Sequence, residues 1–487
     1  MTPSAEGSPV RLFNTLTRQV AGFEPGSPPD VGMYTCGPTV YADQHIGNMR
    51  AYVFADTLKR VLTWKGYRVR HVINITDVGH LTSDADEGDD KLEVAARRQH
   101  VNAWDIAERY TRDFKADLER LRVIEPDVWC KATDHIPQMI SFAAALAAAG
   151  WCYQLPSGLY FDTSKVPDYG ALARLDLAGQ QAGARVEVPE GKRNPADFAV
   201  WRTTPAGENR QMEWDSPWGR GAPGWHLECS VMSMAYLGPH FDIHTGGVDH
   251  IPVHHANEIA QSEAYLADGR PWVRWWLHGE FINLSGAKIS KSTGGGVLVG
   301  DLIDRGYHPV VYRYLLLQSH YRSQTEFSWP GMDSARTGLR RLLDRFASAR
   351  MSAGPTASGH QLGAAAAGHL SAFGDAACDD LNTPRALAAV AAASRDDRLG
   401  DADLTALARE FDQVLAVGLA DLTPADLDLK RSDATLTDDE VTTLVERRNA
   451  ARAARDFATS DQIRDQLAEA GVAVEDHQGG DSTWRWR

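Results

Sequence analysis

Two short segments carry the residues best suited to chemistry: Lys288-Ile289-Ser290-Lys291-Ser292 and, far upstream, His45-Ile46-Gly47-Asn48. Lysine is a mobile point charge, suited to a phosphate whose geometry is changing. Gly294-Gly295-Gly296 follows and permits such a loop to close and reopen. Gly47, at the opening of a helix, lets backbone approach a flat ligand such as adenine, and His45 can donate to a phosphate oxygen. Together they suit attack on the α-phosphate of ATP with release of pyrophosphate, where positive charge stabilises the transition state. Each alone has a plainer reading, a helix-cap histidine and an exposed polar loop. Their occurrence in one chain favours chemistry.

A third constellation is His254-His255-Ala256-Asn257-Glu258. On a helix His254 and Glu258 share a face, and His255 is almost as well placed. An imidazole and a carboxylate so disposed are plausible metal ligands, and Cys36 and Cys229 could add thiolates for zinc. Spacing alone is weak here, because buried cysteines are often merely small hydrophobes.

The elements that must hold these residues are legible in outline. Residues 31–35 are β-prone and end at the turn-forming Gly37-Pro38. Residues 46–65 repeat apolar side chains at a helical period, Gly66 ends them, and 69–75 read as a second strand. Strand, helix, strand implies a parallel sheet, with ligands at the carboxyl ends of its strands. Cys36, Gly37 and Thr39 fall at one such end, Thr76 and Asp77 at the next. Helices are expected over 104–121 and 137–149, and a turn-rich, partly β insertion over 151–213, including 158–161 and 186–188. The α/β pattern resumes over 224–299, and from 333 onward the chain reads as helical. A flexible stretch is expected over 351–359, a polar connector over 429–438, one helix over 439–470 and an extended tail ending in Trp484-Arg485-Trp486-Arg487.

The bulk numbers set the frame. A chain of 487 residues is too long for one core and implies about two to four domains. Apolar residues at 43% and charged residues at 24% read as globular, and no apolar run is long enough to cross a bilayer. The first thirty residues lack a secretory pattern, so the expected compartment is the cytoplasm. Cys36, Cys130, Cys152, Cys229 and Cys378 are scattered and odd in number, which argues against a disulfide framework. Net charge is -15, yet Arg336, Arg340, Arg341, Arg345 and Arg350 cluster with only Asp344 among them, and Arg447, Arg448, Arg452 and Arg455 form a second basic cluster. Such stripes suit a nucleic-acid backbone, although on charge alone solvated helix faces are the better explanation.

With these residues in view, the chain resembles the cysteinyl-tRNA synthetases, a family of class I aminoacyl-tRNA synthetases, over nearly its whole length. The likeness is carried by 34–41 (YTCGPTVY), 223–230 (PGWHLECS), 242–262 (DIHTGGVDHIPVHHANEIAQS) and 288–292 (KISKS). Residues 185–198 and 380–387 (DLNTPRAL) agree as well. Asn48 stands where the family's HIGH motif ends, and Ile289 replaces the Met of KMSKS.

The resemblance implies one zinc ion per chain, held by Cys36, Cys229, His254 and Glu258, that binds the substrate thiolate. It implies a cysteine pocket of Gly37, Thr39, Thr76, Trp225, His244 and Asp249, and an ATP site of His45, Gly47, Asn48, Gly246, Gly247, Lys288 and Lys291. His45, Asn48, Lys288 and Lys291 would act in catalysis, with Mg2+ accompanying ATP. The partners implied are ATP, L-cysteine and tRNA(Cys), with no membrane, and the chain acting as a monomer. The expected fold is a Rossmann-like parallel-sheet catalytic domain (1–150 and 224–300) carrying an insertion (151–223). A stem-contact region (301–335), an all-α anticodon-binding region (336–430) and a small C-terminal domain (431–487) would follow. Arg336, Arg340, Arg447, Arg448 and Trp484 are the candidate tRNA contacts. The cysteine ligase of mycothiol synthesis shares the zinc site and the adenylation chemistry, but the long helical part here opposes that reading.

Overall fold

The protein is described from a computed structural model covering residues 8–79, 91–174, 191–208, 210–283, 296–354, 360–477 and 481–486. Lys288, Lys291, Gly294, Gly295 and the expected strand at 186–188 lie outside the described residues.

A short hairpin, β1 (Arg11–Asn14) and β2 (Gln19–Gly22), precedes the first sheet strand, β3 (Asp30–Thr35). Helix α1 (Ile46–Trp64) follows, then β4 (Arg68–Ile75). Gly66, at φ 88°, closes α1: its N–H donates to Thr63 O and that of Tyr67 to Leu62 O, so a left-handed residue ends the helix cleanly. Helices α2 (Lys91–Gln99) and α3 (Ala103–Arg120) lead to β5 (Val128–Lys131) and α4 (Ile136–Ala148). An antiparallel sheet of β6 (Cys152–Leu155), β7 (Gly158–Phe161), β8 (Phe198–Thr203) and β9 (Gly221–Pro223) forms the insertion. Helix α5 (Trp225–Leu237), β10 (Phe241–Gly247), α6 (His254–Leu266) and β11 (Val273–Gly279) then complete the main sheet.

That sheet is parallel, in the order β11-β10-β3-β4-β5. Strand β10 is buried along almost its whole length, as expected of a parallel strand covered on both faces. From β3 the chain builds outward through β4 and β5, then returns to add β10 and β11 on the other side. The order therefore reverses between β3 and β10, the place where such sheets open a crevice for ligands.

Beyond the sheet come β12 (Ile282–Asn283), α7 (Val299–Asp304), α8 (Pro309–Leu317) and β13 (Thr325–Glu326), with β12 and β13 paired in parallel. Four helices follow: α9 (Trp329–Ala353), α10 (Ala364–Cys378), α11 (Thr383–Ala393) and α12 (Asp401–Leu415). Residues 351–353, expected to be flexible, extend α9. One continuous core joins α1 to these helices, with Trp64 edge-on to Phe373, and a second core fills the opposite face of the sheet.

The C-terminal region departs most from the sequence expectation. The single helix expected over 439–470 is two, α13 (Asp438–Ala453) and α14 (Phe457–Glu469). Arg455, at φ 59°, turns the chain, and Asp456 restarts it as an N-cap that accepts from the Thr459 N–H at 3.1 Å. The extended tail is a hairpin of β14 (Val472–Asp476) and β15 (Ser482–Trp486), and Trp486 is buried against Val441, Leu467 and Val472.

Candidate metal centre and active site

Cys36 leaves β3 at the crevice, and its N–H donates to Thr245 O of β10 at 3.2 Å. Cys229 comes from the first turns of α5, and His254 and Glu258 lie one turn apart at the start of α6. All four are buried, with one donor atom of each lying within 4.8 Å of the others. The two sulfurs are 4.0 Å apart, and His254 Nε2 stands 2.6 Å from Glu258 Oε1. His226 Nδ1 meets His254 Nδ1 at 3.0 Å, so the other ring nitrogen is the one aimed at the cluster. Two thiols, an imidazole and a carboxylate converging in a dry pocket fit a tetrahedral metal ion.

A second set overlaps the first: Cys36, His244, His255 and Glu258 also bring their donor atoms within 4.8 Å. His255 Nε2 lies 3.3 Å from Cys36 Sγ, while its Nδ1 is tied to His278 at 2.7 Å. His244 stacks on Trp276 and bonds Glu258 Oε2 at 2.8 Å, fully buried behind the cluster. His226, His278 and Asn74 were not legible as site residues, because only packing brings them to the cluster; His255, the alternative to His254 in the sequence, reaches it as well. Asn74 accepts from the Gly37 N–H at 2.7 Å and donates to Thr76 Oγ1 at 3.0 Å.

The four groups set one another's charges. A hydrogen bond from Cys36 draws the Cys229 thiol down to about 7 against the effect of burial, while burial pushes Cys36 up. Burial opposes charge on His254, yet the Glu258 carboxylate and Cys229 raise it to about 10. Burial likewise favours a neutral Glu258, but His254 and His244 hold its carboxyl far below the ordinary range.

The other expected site residues line the same edge of the sheet. Thr39 and Thr76 form a parallel bridge, Thr76 buried and Thr39 partly so. At Gly37 a Cβ would fall 1.5 Å from Asn74 O, so no larger residue fits between the strand ends. Trp225 stacks on His254 with centroids 4.2 Å apart, and Asp249 is exposed after β10. His45 caps α1, its Nδ1 accepting from the Asn48 N–H at 3.2 Å, and Asn48 itself is exposed. Gly47 and Gly296 flank the His45 side chain; a Cβ on either would come within 3 Å of it. Gly246 and Gly247 end β10 with their Cβ positions filled by His250 and His255 and by the Asp249 carboxylate.

The expected tRNA contacts are distributed differently. Arg340 pairs with the buried Asp428, and Arg336 pairs with Asp333 at 2.8 Å and lies over the Tyr307 ring. Arg448 is buried and bonds Asp476 at 2.6 Å, while Trp484 Nε1 donates to Thr442 Oγ1 at 3.3 Å. Arg447 is exposed on α13.

A sequence model of the class I (C) tRNA synthetase catalytic domain matches residues 22–337, and one of the cysteinyl-tRNA ligase anticodon binding domain matches 436–485. The cysteine–tRNA ligase of Novosphingobium aromaticivorans is 48% identical over 491 residues, covering 100% of this chain and 98% of that protein. The chain belongs to the cysteine–tRNA ligase family. Other members are similarly close: cysteine–tRNA ligase 1 of Burkholderia lata is 49% identical, covering 97% of this chain and 96% of its own length. The Thermus thermophilus enzyme is 42% identical, with 98% of each chain covered. The fold is shared more widely among class I synthetases. Mycobacterium tuberculosis methionyl-tRNA synthetase bound by methionyl-adenylate superposes with a TM-score of 0.57 at 17% identity, over 84% of this chain and 97% of that one. Among the described residues no helix is long and apolar enough to cross a membrane.

Proposed function

We propose that this member of the cysteine–tRNA ligase family activates L-cysteine with ATP and transfers it to the 3′ end of tRNA(Cys), selecting its substrate through a zinc-bound thiolate. The observation that carries the reading is the buried cluster of Cys36, Cys229, His254 and Glu258 beside the crevice between β3 and β10. We favour this set over the one with His244 and His255 because it alone contains both thiols, the donors that suit zinc best. Bound there, zinc supplies a Lewis acid that takes a thiolate in preference to a serine hydroxyl. A site built on one such contact discriminates by about 10⁴-fold without editing.

The chain's own groups do the rest. Trp225 covers the His254 ring, and Glu258 is oriented by His244. Asp249, exposed at the end of β10, suits the substrate ammonium. The start of α1, with His45, Gly47 and Asn48, receives ATP with its Mg2+, joined by Gly246, Gly247, Lys288 and Lys291. The cysteine carboxylate then attacks the α-phosphate, pyrophosphate leaves, and the terminal ribose hydroxyl of the tRNA attacks the activated carbonyl. No protein nucleophile is required; positioning and charge stabilisation suffice.

Residues 1–150 and 224–300 would do this chemistry around the 151–223 insertion, with 301–335 contacting the tRNA stem. Residues 336–430 and 431–487 would hold the rest of the tRNA, in the cytoplasm and as a single chain. The internal pairing of Arg340 and Arg448 leaves Arg447 the better candidate for a phosphate contact. The test is cysteine-dependent ATP–pyrophosphate exchange by zinc-replete protein, followed by transfer of labelled cysteine to tRNA(Cys) or to an aminosugar acceptor. Exchange and transfer to tRNA are expected. No exchange would reduce the protein to a sensor, and exclusive use of the sugar would make it a mycothiol-type ligase.

A further inference from the structure

Arg50, on the second turn of α1, is a buried cation whose described hydrogen bonds all end on main-chain carbonyls. Its guanidinium donates to Phe281 O, to Ser323 O at 2.5 Å and to His320 O at 3.3 Å. Burying a guanidinium is costly even with the Glu280 carboxylate nearby to offset it, so the geometry its three carbonyl partners impose matters. The carbonyls belong to two places that must meet. Phe281 leads into β12, and 320–323 is the turn leading into β13, the partner strand of β12.

The two are also joined directly. The Glu280 N–H donates to Tyr321 O at 2.8 Å, and the Tyr321 ring stacks on Phe54 of α1 at 4.4 Å. Strand β12 then delivers Ile282 to the start of α1, where its Cγ2 would stand 3.6 Å from a Cβ placed on Gly47. Arg50 thus ties the start of β12 to α1 beside the His45–Gly47 segment.

The far side of the turn is held by the helical region. Asp380 is buried and accepts from Tyr321 Oη at 2.7 Å, from Arg322 Nε at 2.8 Å and Nη2 at 2.5 Å, and from the Phe13 N–H at 2.9 Å. Asp380 and Leu381 both adopt left-handed backbone, at φ 54° and 53°. Consecutive non-glycine residues there are strained, and such strain persists only where surrounding contacts enforce it. They open the 380–387 segment, whose resemblance to the family was legible but whose task was not.

We propose that Asp380 and Arg50 are positioning residues for the nucleotide: Asp380 clamps the 320–323 turn to the helical region, and Arg50 passes that position through β12 to the start of α1. This rests on the reading that the His45–Gly47 segment receives ATP. Neither residue is placed against cysteine, so the two substrates should respond differently.

The full-length chain carrying Arg50→Lys or Asp380→Asn is compared with wild type by thermal melting, ATP titration calorimetry and pyrophosphate exchange. ATP affinity and KM for ATP should worsen by about tenfold to a hundredfold, the scale of a misplacement near 1 Å. KM for cysteine should stay near wild type, while the melting midpoint, which the loss of a buried pair lowers, serves to show that each variant is folded at the assay temperature. Folded variants that bind ATP as wild type does would overturn the proposal. Equal losses for ATP and cysteine would do so too, since they mark a tether with no preference for the nucleotide. Should Asp380→Asn fail to fold, Arg322→Lys replaces it under the same criteria. A wild-type chain that binds ATP but shows no exchange would sink the functional reading while the titration still decides the positioning role. One that binds no ATP would sink both.

Discussion

At Cys229 the hydrogen bond from Cys36 and the nearby His254 favour the charged form of the thiol against the effect of burial, in a site closed to water. A buried anion is stable only when something cationic meets it, and the convergence of Cys36, His254 and Glu258 offers a metal ion that place. Cys229→Ser should therefore purify without bound metal, read as metal per chain by plasma mass spectrometry, while ATP still binds. His255→Gln should retain its metal. Unchanged content in the first variant, or loss only in the second, would transfer the site to the overlapping set of Cys36, His244, His255 and Glu258.

At the scale of single elements, β4 sets both site geometry and acid sensitivity. Its outer end places Asn74 and Thr76 at the crevice, and its middle buries His71 against Thr35, at 2.8 Å. Burial and then Lys59 lower His71 from 6.5 to about 3. Between those values the unfolded chain binds a proton that the native state refuses, so stability falls as pH falls from 6.5 towards 3. This one group contributes up to about 1.4 kcal/mol per pH unit within that window. His71→Gln should flatten the slope of unfolding free energy against pH by that amount between pH 6 and 5, measured by urea titration. An unaltered slope would mean that His71 is already charged in the native state. Strands and helices of this sheet were legible because apolar period and turn residues are local signals. The break at Arg455 was missed because it depends on Asp456 acting as a cap, and an aspartate in a polar run reads equally well as helix surface.

Across the whole molecule, α1 joins the two halves. Arg313 and Asp56 are fully buried and meet at 2.5 Å, with Arg313 also donating to Leu415 O of α12 at 2.7 Å and to Leu121 O after α3 at 3.1 Å. Trp64 Nε1 adds a bond to Glu410 at 3.0 Å. Removing one member of such a pair strands the other, so Asp56→Ala should cost about 3–5 kcal/mol in urea unfolding. The double change Asp56→Leu with Arg313→Met should recover only part of it, because Arg60, 2.7 Å from Asp56, and the Ile124 N–H would still lose their partner. A double variant no more stable than the single would show that the pair does more than neutralise its own burial.

The motifs at 34–41, 223–230, 242–262 and 288–292 sufficed to identify the family, since that likeness resides in residue order along the chain. They also named four candidate metal ligands, and the fold brings their donor atoms together. Three matters waited for the fold: which histidines surround the cluster, which arginines remain exposed, and how Asp380 reaches the start of α1. His278, Arg340 and Arg50 owe their roles to partners dozens to hundreds of residues away. No local period or spacing encodes a hydrogen bond or ion pair of that range; it exists only once the cores have packed and water has left.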